Sequence, residues 1–241
     1  MEFSSQAVPP TKTDRILVIM AKAPRPGTVK TRLAGSLPAP AVTELYRCLL
    51  DDTLELARSL DGVEAVIMCP AADVGDLERI TGGDIRVVAQ EGEGLATGLT
   101  STFAHFAFGR RRVIAFNSDS PHLPASVLEG AFEALTSHDV VVGPTHDGGY
   151  YLVGAKASHP ALFEDDGMGT KSALDALLAR ARTMHLSVGF TDPFYDIDVA
   201  DDLIRLAAEL QLAPTRAPRT TGWLKQWEQA VERLRMDAGD V

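Results

Sequence analysis

Short apolar runs alternate along the chain with longer segments in which apolar residues recur at the spacing of an α-helix. The apolar runs carry many β-branched residues and are too short for helices, which is typical of buried strands. They predict strands at 15–20, 63–69, 85–89, 112–117, 140–143, 150–153 and 185–190. The longer segments predict helices at 41–60, 95–108, 125–136, 171–182 and 199–210.

Strands that alternate with helices predict an α/β fold with a mostly parallel, doubly wound sheet. Helices would cover both faces of this sheet, as in a Rossmann-like three-layer sandwich. In such sheets, ligands bind beyond the carboxyl ends of the strands. The loops that follow the predicted strands 15–20 and 112–117 lie at that edge and are therefore the first candidates for a ligand site.

The chain divides into three parts. Residues 1–14 form a polar N-terminal tail, residues 15–212 carry the alternating pattern of a single domain, and residues 213–241 follow it. The stretch 213–222 is rich in Pro, Thr and Arg, which indicates a linker, and 223–236 returns to a helical pattern. We expect this C-terminal helix to dock on the domain or on a second copy of the chain, which would make a homodimer.

Composition narrows the function. The chain has 241 residues, of which 45% are hydrophobic, and this suits one sizeable domain with a full core. Its formal net charge of -10 argues against broad binding to nucleic acid or to an anionic membrane. Small anionic ligands, bound by a local basic cluster, are the natural partners.

Two further features bear on location. Cys48 and Cys69 provide neither a disulfide framework nor a paired metal spacing. No stretch approaches the roughly 18 to 20 apolar residues of a membrane span, and the first residues are polar rather than signal-like. We therefore expect a cytoplasmic protein.

A basic loop rich in Pro and Gly follows the first predicted strand. Lys22, Arg25, Lys30 and Arg32 lie in it, and we expect the loop to bring these four positive side chains and several backbone amides to one spot. Such an arrangement binds polyphosphate, with the Arg32 fork gripping two oxygens and the lysines acting as point charges. The loop is neither a Walker A motif nor a Rossmann glycine motif, and a solvated surface turn is the alternative.

Acidic residues form the second candidate site. Asp119 directly follows the predicted strand 112–117, where a carboxylate can hold a magnesium ion against phosphate oxygens. The alternative is that Asp119 caps the helix that begins near 125. A second ligand would come from Asp196 or Asp198, whose alternation in an extended segment points both carboxylates the same way, although Asp198 could instead be the N-cap of the next helix.

Glycine-bearing segments complete the set of candidates. Gly148 and Gly149, after Asp147, suit both a hairpin turn and close approach of a ligand to the backbone. His146 in the same turn is either a general base or an ordinary loop residue. Gly94 at one helix start and Gly169 near another present amides suited to an anion or a base edge.

Together these motifs resemble the nucleotide-diphospho-sugar transferase superfamily of GT-A type. The shared order is a Lys-Thr-Arg-Leu loop after a strand, a Gly-Leu helix start, a Ser-Asp-Ser strand end, a Gly-Gly turn and a late Asp-Ile-Asp. Within it, the chain is similar to a glycosyltransferase-like family that carries Ala-Lys-Ala-Pro-x-Pro-Gly-x-Val-Lys-Thr-Arg-Leu. It is also similar, more distantly, to phospholactate guanylyltransferases. The resemblance spans roughly 16–206 and implies that 15–212 is a nucleotide-binding transferase domain with a GT-A-like fold.

The resemblance also implies a role for each matching residue. Lys30, Arg32 and Asp119 would be catalytic. Asp119 and Asp198 would hold Mg²⁺ or Mn²⁺, with Asp196 as a substitute. The implied nucleotide-binding residues are Ala21, Lys22, Gly27, Lys30, Arg32, Gly94, Leu95 and Ser118, and the implied acceptor-binding residues are Asp147, Gly148, Gly149, Gly169 and Ser172.

We expect a nucleotidyltransferase that moves a nucleoside monophosphate from a triphosphate, GTP by resemblance, to a small phosphorylated acid with release of pyrophosphate. The chain has Gly149-Tyr150-Tyr151 where the guanylyltransferases have Gly-Thr-Asn, and this leaves the acceptor open. The alternative is a glycosyltransferase with a nucleotide-sugar donor, which gives the basic loop less phosphate to bind. A non-catalytic nucleotide-binding protein would need a disabled acid pair, whereas both acids are present.

Overall fold

The computed structural model describes residues 13–109, 111–164 and 172–239. One seven-stranded sheet organises these residues, in the order β3-β2-β1-β4-β6-β5-β7. The strands are β1 (Arg15–Met20), β2 (Val63–Cys69), β3 (Arg86–Ala89), β4 (Arg112–Asn117), β5 (Val140–Pro144), β6 (Tyr150–Ala155) and β7 (Val188–Phe190). All neighbouring pairs are parallel except those of β6, which runs antiparallel to both β4 and β5. The expected single α/β domain with a mostly parallel sheet is thus confirmed.

Helices cover both faces of the sheet, and their burial explains the continuous apolar character of the central strands. Leu17 and Ile19 pack into one core cluster, while Ile16 and Val18 pack into a second cluster on the opposite face. A strand buried on both sides needs apolar residues at every position. The helices are α1 (Ala39–Arg58), α2 (Val74–Thr81), α3 (Leu95–Phe106), α4 (Ala125–Ser137), α5 (Ala173–Thr183), α6 (Ala200–Leu212), α7 (Pro218–Gln226) and α8 (Glu228–Gly239).

The largest differences from the sequence-based prediction concern α2, the start of β7 and the C-terminal helix. Helix α2 was not predicted, because it has only eight residues and is separated from β2 by a proline and a single 3₁₀ turn, Ala71–Asp73. Strand β7 begins at Val188 rather than at 185, since His185 adopts a left-handed backbone conformation that ends helix α5 and delays the strand. The single helix predicted at 223–236 is two helices, α7 and α8, and α7 begins at Pro218, inside the stretch predicted as a linker, because proline suits the first turn of a helix.

Strands β1 and β4 are neighbours, and this pairing positions the site. Met20 at the end of β1 lies in register with Asn117 at the end of β4. From β1 the chain proceeds to β2 and β3 on one side of the sheet and then returns to β4 on the other. This is the switch point at which a crevice forms beyond the strand ends. The loops after β1 and β4 therefore emerge side by side.

Helices α7 and α8 pack against α1 and α6 in a third core cluster, which includes Leu49, Leu206, Trp223 and Leu234. Within the described ranges, no helix has both the length and the apolar content needed to span a bilayer. The carboxylate of Asp52, buried on α1, accepts hydrogen bonds from the amides of Arg219 (3.1 Å) and Thr220 (2.8 Å). Asp52 therefore caps the first turn of α7 from another helix.

Replacing Asp52 by Ala should lower the free energy of unfolding by about 2 kcal/mol, because two amide groups at a buried helix start lose their acceptor. Urea denaturation followed by circular dichroism measures this change. The matched control is Asp51→Ala on the same helix, where only a long contact with Arg47 (3.9 Å) is lost and a change of no more than about 0.5 kcal/mol is expected. Equal losses for the two variants would contradict the capping role.

Candidate functional site

A cleft of about 920 Å³ opens beyond the carboxyl ends of β1 and β4. Most of the residues predicted from the sequence line it, namely Ala21, Lys22, Lys30, Arg32, Gly94, Leu95, Ser118, Asp119, Asp147, Gly149, Asp196 and Asp198. Gly27, Gly148 and Ser172 are described but do not line it, and Gly169 lies outside the described residues. Residues distant in the sequence are thus brought to one place.

Tyr46, on α1, joins the two loops that leave β1 and β4. Its hydroxyl accepts a hydrogen bond from the amide of Lys22 (3.1 Å) and lies 3.0 Å from Oγ of Ser118. Thr53, about two turns further along α1, donates to the carbonyl of Ser118 (3.2 Å). The two loops are therefore held at a fixed separation by side chains of one helix.

The position of Arg25 corrects the expectation that four positive side chains converge. Its guanidinium bonds the carboxylate of Asp73, Oδ2 of Asp76 (2.9 Å from Nε) and the carbonyl of Ala72 (2.9 Å). The other carboxylate oxygen of Asp73 accepts from the amide of Ala23 (3.1 Å). Arg25 therefore anchors the basic loop to the segment that begins α2, and it does not face the cleft.

Lys30 lies at the centre of the site. Its side chain is only 4% exposed, and its ammonium group contacts the carboxylate of Asp119 and Oδ1 of Asp198 (2.8 Å). Oxygen atoms of Asp119, Asp196 and Asp198 all lie within 4.8 Å of one another. Three carboxylates at this separation match the oxygen ligands that Mg²⁺ and Mn²⁺ prefer, so the donor set fits a divalent cation.

The charges in this cluster influence one another strongly. Burial lowers the pKa of Lys30, but the attraction of Asp119 and Asp198 outweighs burial, so this pKa lies above its usual value. Burial and the negative charges of Asp119 and Asp198 raise the pKa of Asp196 to about 7. Lys30 is therefore charged, and it offsets the repulsion among the acidic residues.

Neither Asp119 nor Asp198 acts as a helix cap. Helix α4 begins after Pro124, and no side chain caps it. At the start of α6, it is Asp202 that accepts from the amides of Asp198 (3.0 Å) and Val199 (2.9 Å). The capping alternatives are thus wrong, and both carboxylates are directed to the cluster around Lys30.

The loops that carry the acidic residues are tied together. The amide of Ile197 donates to the carbonyl of Asp119 (3.3 Å), and Oγ of Ser120 donates to the carbonyl of Tyr195 (3.0 Å). Ile197 is fully buried, which turns Asp196 and Asp198 to the opposite side, as their alternation predicts. The acidic cluster is therefore built on fixed backbone.

His122 packs beneath these loops, with its ring centroid 4.7 Å from those of Phe194 and Tyr195. It is buried, and its ring nitrogens have no hydrogen-bond partner among the residues described. Burial, with a contribution from the positive charges of Arg205 and Arg216, lowers the pKa of His122 to about 3. The folded protein thus keeps this imidazole neutral.

Stability should consequently fall below pH 6.5, where the unfolded chain binds a proton at His122 that the folded protein refuses down to about pH 3. Between pH 7 and pH 5 this linkage should remove about 2 kcal/mol of unfolding free energy. When the pH is lowered from 7 to 5, the unfolding free energy of His122→Phe should fall by about 2 kcal/mol less than that of the wild type, as measured by urea titration at both pH values. His105→Ala, at an exposed position, should behave as the wild type, and an unchanged pH dependence in His122→Phe would contradict the linkage.

An apolar wall forms the side of the cleft next to α3. The side-chain amide of Gln90 donates to the carbonyls of Gly92 (3.0 Å) and Gly94 (3.1 Å) and so holds the loop before α3. Gly94 has a φ of 87°, a left-handed conformation that favours glycine. Leu95 follows with 47% of its surface exposed and lines the cleft.

The opposite side of the cleft is formed by the hairpin between β5 and β6. The amide of Thr145 donates to the carbonyl of Gly149 (3.0 Å), and Oδ1 of Asp147 accepts from the amide of Gly149 (3.2 Å). Gly148 has a φ of 91° and its carbonyl accepts from the amide of Leu174 (3.0 Å) at the start of α5. Gly148 and Asp147 therefore shape the turn, and Gly149 presents it to the cleft.

Sequence reasoning missed Tyr46, Gln90 and Asp73 as site residues. Tyr46 is one of the buried residues of α1, so its spacing in the sequence indicates only core packing. Gln90 directly follows a strand, which was a usable signal, whereas Asp73 lies in a segment with no predicted element. Each of them supports the loops through hydrogen bonds that depend on tertiary structure.

Comparisons with known proteins agree with this architecture. The family model described as "Uncharacterized protein conserved in bacteria (DUF2064)" matches residues 53–170. No curated protein sequence matches the chain. A solved structure named as a putative nucleotide-diphospho-sugar transferase from Desulfovibrio desulfuricans G20 is similar to the chain at 26% identity, with a TM-score of 0.84 over 92% of this chain and 98% of that one.

More distant structures share the fold. A nucleotidyl transferase from Methanothermobacter is 18% identical, with a TM-score of 0.54 over 83% of this chain and 99% of that one. The 4-diphosphocytidyl-2C-methyl-D-erythritol synthase from Anaerococcus prevotii DSM 20548 is 14% identical, with a TM-score of 0.56 over 82% and 96%. The chain thus has the fold of the broad superfamily of nucleotidyl and nucleotide-diphospho-sugar transferases.

Proposed function

We propose that the protein is a metal-dependent nucleotidyltransferase. It transfers a nucleoside monophosphate from a nucleoside triphosphate, with GTP preferred, to a small phosphorylated acid and releases pyrophosphate. The observation that carries this proposal is the meeting of Lys30 and Arg32 with three carboxylates at the switch point of the sheet. Basic side chains next to carboxylates that can hold a metal ion suit a polyphosphate, because the basic groups and the metal ion together neutralise its negative charges.

The basic loop binds the triphosphate. Arg32 is more accessible to a ligand than Lys30, because its side chain is 68% exposed and its contact with Asp198 is 3.4 Å long. Its guanidinium can grip two phosphate oxygens, and Lys22 and Lys30 add point charges. The base lies against Gly94 and Leu95, on the loop that Gln90 holds.

Asp119 and Asp198 would hold Mg²⁺ or Mn²⁺, and Asp196 is the third carboxylate within reach. When bound, the ion neutralises charge on the phosphates as it builds up during transfer. An oxygen of the acceptor phosphate forms the new bond to the α-phosphorus, and the bond from that phosphorus to the bridging oxygen breaks. The electron pair leaves with pyrophosphate, and Lys30 and Arg32 stabilise its charge. Because the acceptor oxygen is already ionised, no general base is required.

The acceptor approaches from the hairpin side, where Asp147 and Gly149 line the cleft and Gly148 shapes the turn. Ser172 precedes Ala173, which lines the cleft, and is the further proposed contact. Gly169, outside the described residues, belongs to the same proposed set.

A second candidate is glycosyl transfer from a nucleotide-sugar. The Desulfovibrio structure favours it, because that protein is named a putative nucleotide-diphospho-sugar transferase and shares 26% identity with this chain. The fold and the acidic cluster serve this reaction equally well. The basic loop distinguishes the two reactions, because a nucleotide-sugar carries only a diphosphate and gives this loop less phosphate to bind than a triphosphate does.

Equilibrium binding distinguishes the two candidates. In the presence of Mg²⁺, each of the four nucleoside triphosphates is titrated by calorimetry alongside UDP-sugars and GDP-sugars. We expect at least one triphosphate to bind at least tenfold more tightly than any nucleotide-sugar and Arg32→Met to remove that preference. Tight binding of a nucleotide-sugar alone would instead support glycosyl transfer. The titration includes CTP, because one protein of the same fold is named 4-diphosphocytidyl-2C-methyl-D-erythritol synthase.

A further inference from the structure

The ammonium group of Lys30 occupies the space between two of the acidic residues. It contacts the carboxylates of Asp119 and Asp198 on either side, and its side chain is almost completely buried. A divalent cation bound by the same two carboxylates would lie in the same space. Two cations cannot share that position, so the ammonium group and the metal ion exclude each other.

The surrounding loop allows Lys30 to leave without unfolding the domain. Arg25 is bound to the segment before α2, and Leu33 is completely buried, so the loop is fixed at both ends. Between them, Gly27 and Thr28 are exposed, Val29 is buried, and Lys30 has a φ of 48°, which is unfavourable for a residue with a side chain. A rotation of the Lys30 backbone would relieve this unfavourable conformation, while Arg25 and Leu33 hold the two ends of the loop in place.

Charge balance links the departure of Lys30 to the arrival of a metal ion. With Lys30 in place, its positive charge offsets part of the repulsion among three crowded carboxylates. A triphosphate offers the ammonium group a more negative partner outside the cluster. Once Lys30 turns to the phosphates, the carboxylates need a replacement cation, and a divalent ion supplies more charge than the ammonium group did.

We propose that Lys30 is an internal counter-ion of the acidic cluster, which keeps divalent metal from Asp119 and Asp198 until a triphosphate draws the ammonium group away. Metal and nucleotide then bind as a linked pair, each increasing the affinity of the other. The part that concerns the nucleotide rests on the function proposed above. The competition between Lys30 and metal does not, because it involves only residues of this chain.

The test measures Mn²⁺ binding alone, by electron paramagnetic resonance, in the absence of nucleotide. Lys30→Met removes the charge but retains most of the length of the side chain, so it should bind Mn²⁺ at least tenfold more tightly than the wild type. Lys225→Met, which removes an exposed lysine of α7 outside the cleft, should differ from the wild type by less than twofold. Lys30→Met with Asp119→Asn should lose the gain, which shows that the tighter site is this one.

Equal or weaker Mn²⁺ binding by Lys30→Met, in a protein whose circular dichroism and melting match the wild type, overturns the proposal. Lys30→Gln is the second variant if Lys30→Met fails to fold, with the same expected gain. Failure here is distinguishable from failure of the proposed function. If the wild type releases pyrophosphate from a triphosphate but Lys30→Met gains no metal affinity, only the counter-ion role of Lys30 is refuted. Tighter Mn²⁺ binding by Lys30→Met in a protein that binds no triphosphate would support the competition and refute the nucleotidyltransferase.

Discussion

Asp119→Asn should lower kcat for pyrophosphate release by at least about a thousandfold, equivalent to about 4 kcal/mol of transition-state stabilisation. The reason is that Asp119 lies at the end of β4, beside the triphosphate loop, and is one of the three carboxylates within 4.8 Å of one another. Asparagine keeps the shape but removes the charge that would hold a metal ion. Nucleotide affinity should change far less, because Lys22 and Arg32 remain. A steady-state pyrophosphate assay, with nucleotide binding measured separately, tests both halves.

The matched control is Asp192→Asn, the same loss of charge at an exposed residue outside the cleft. It should leave kcat within about twofold of the wild type. Turnover that survives in Asp119→Asn would remove this residue from the reaction and leave the acidic cluster with only a structural role.

Lys30→Met should lower kcat by at least about a hundredfold, because the departing pyrophosphate loses a buried positive charge, and one such contact is worth roughly 3 kcal/mol. The same variant is expected to bind Mn²⁺ more tightly. A lower kcat together with a higher Mn²⁺ affinity is informative, since general damage to the site would lower both. Rapid-quench measurements at saturating Mg²⁺ and triphosphate show whether the chemical step itself slows. A normal rate under these conditions would contradict a role for Lys30 in transfer.

Much of the fold could be predicted from the sequence because burial on both faces imposes uninterrupted apolar strands. Strands β1, β2 and β4 were predicted with the bounds that the structure has. Helix α2 is amphipathic but has only eight residues, and the start of β7 depends on the left-handed backbone conformation of His185, so neither was predicted from periodicity. The antiparallel insertion of β6 between β4 and β5 is likewise a property of pairing, which a single strand does not reveal.

The acidic part of the site could be predicted, because the positions of its residues follow from the order of strands and from alternation along an extended segment. Asp119 follows a central strand, and the alternation of Asp196 and Asp198 about a buried Ile197 correctly predicted their convergence. Arg25 shows the limit of this reasoning. Its residue type and position resemble those of Lys30, yet it pairs with Asp73 and Asp76 on a segment that was not predicted. A charge in a loop cannot be assigned a role until the opposite charges around it are known.

Lys30 itself illustrates the same limit. The sequence predicts a phosphate-binding lysine, and the structure adds that its ammonium group already contacts two carboxylates. Those carboxylates lie far away in the chain, after β4 and before α6, so the contact depends on the complete fold. The proposal of a linked exchange between phosphate and metal follows from this contact and could not have been reached from the motif.

Release of pyrophosphate tests the central claim most directly. The wild type is incubated with Mg²⁺, each of the four nucleoside triphosphates in turn and a panel of phosphorylated small acids, and pyrophosphate is measured by a coupled assay, with Asp119→Asn as the matched blank. We predict that one triphosphate and one class of acceptor give stoichiometric pyrophosphate and that the Asp119→Asn protein gives none above background. Transfer from a nucleotide-sugar, with no pyrophosphate from any triphosphate, would contradict nucleotidyl transfer and identify the protein as a glycosyltransferase.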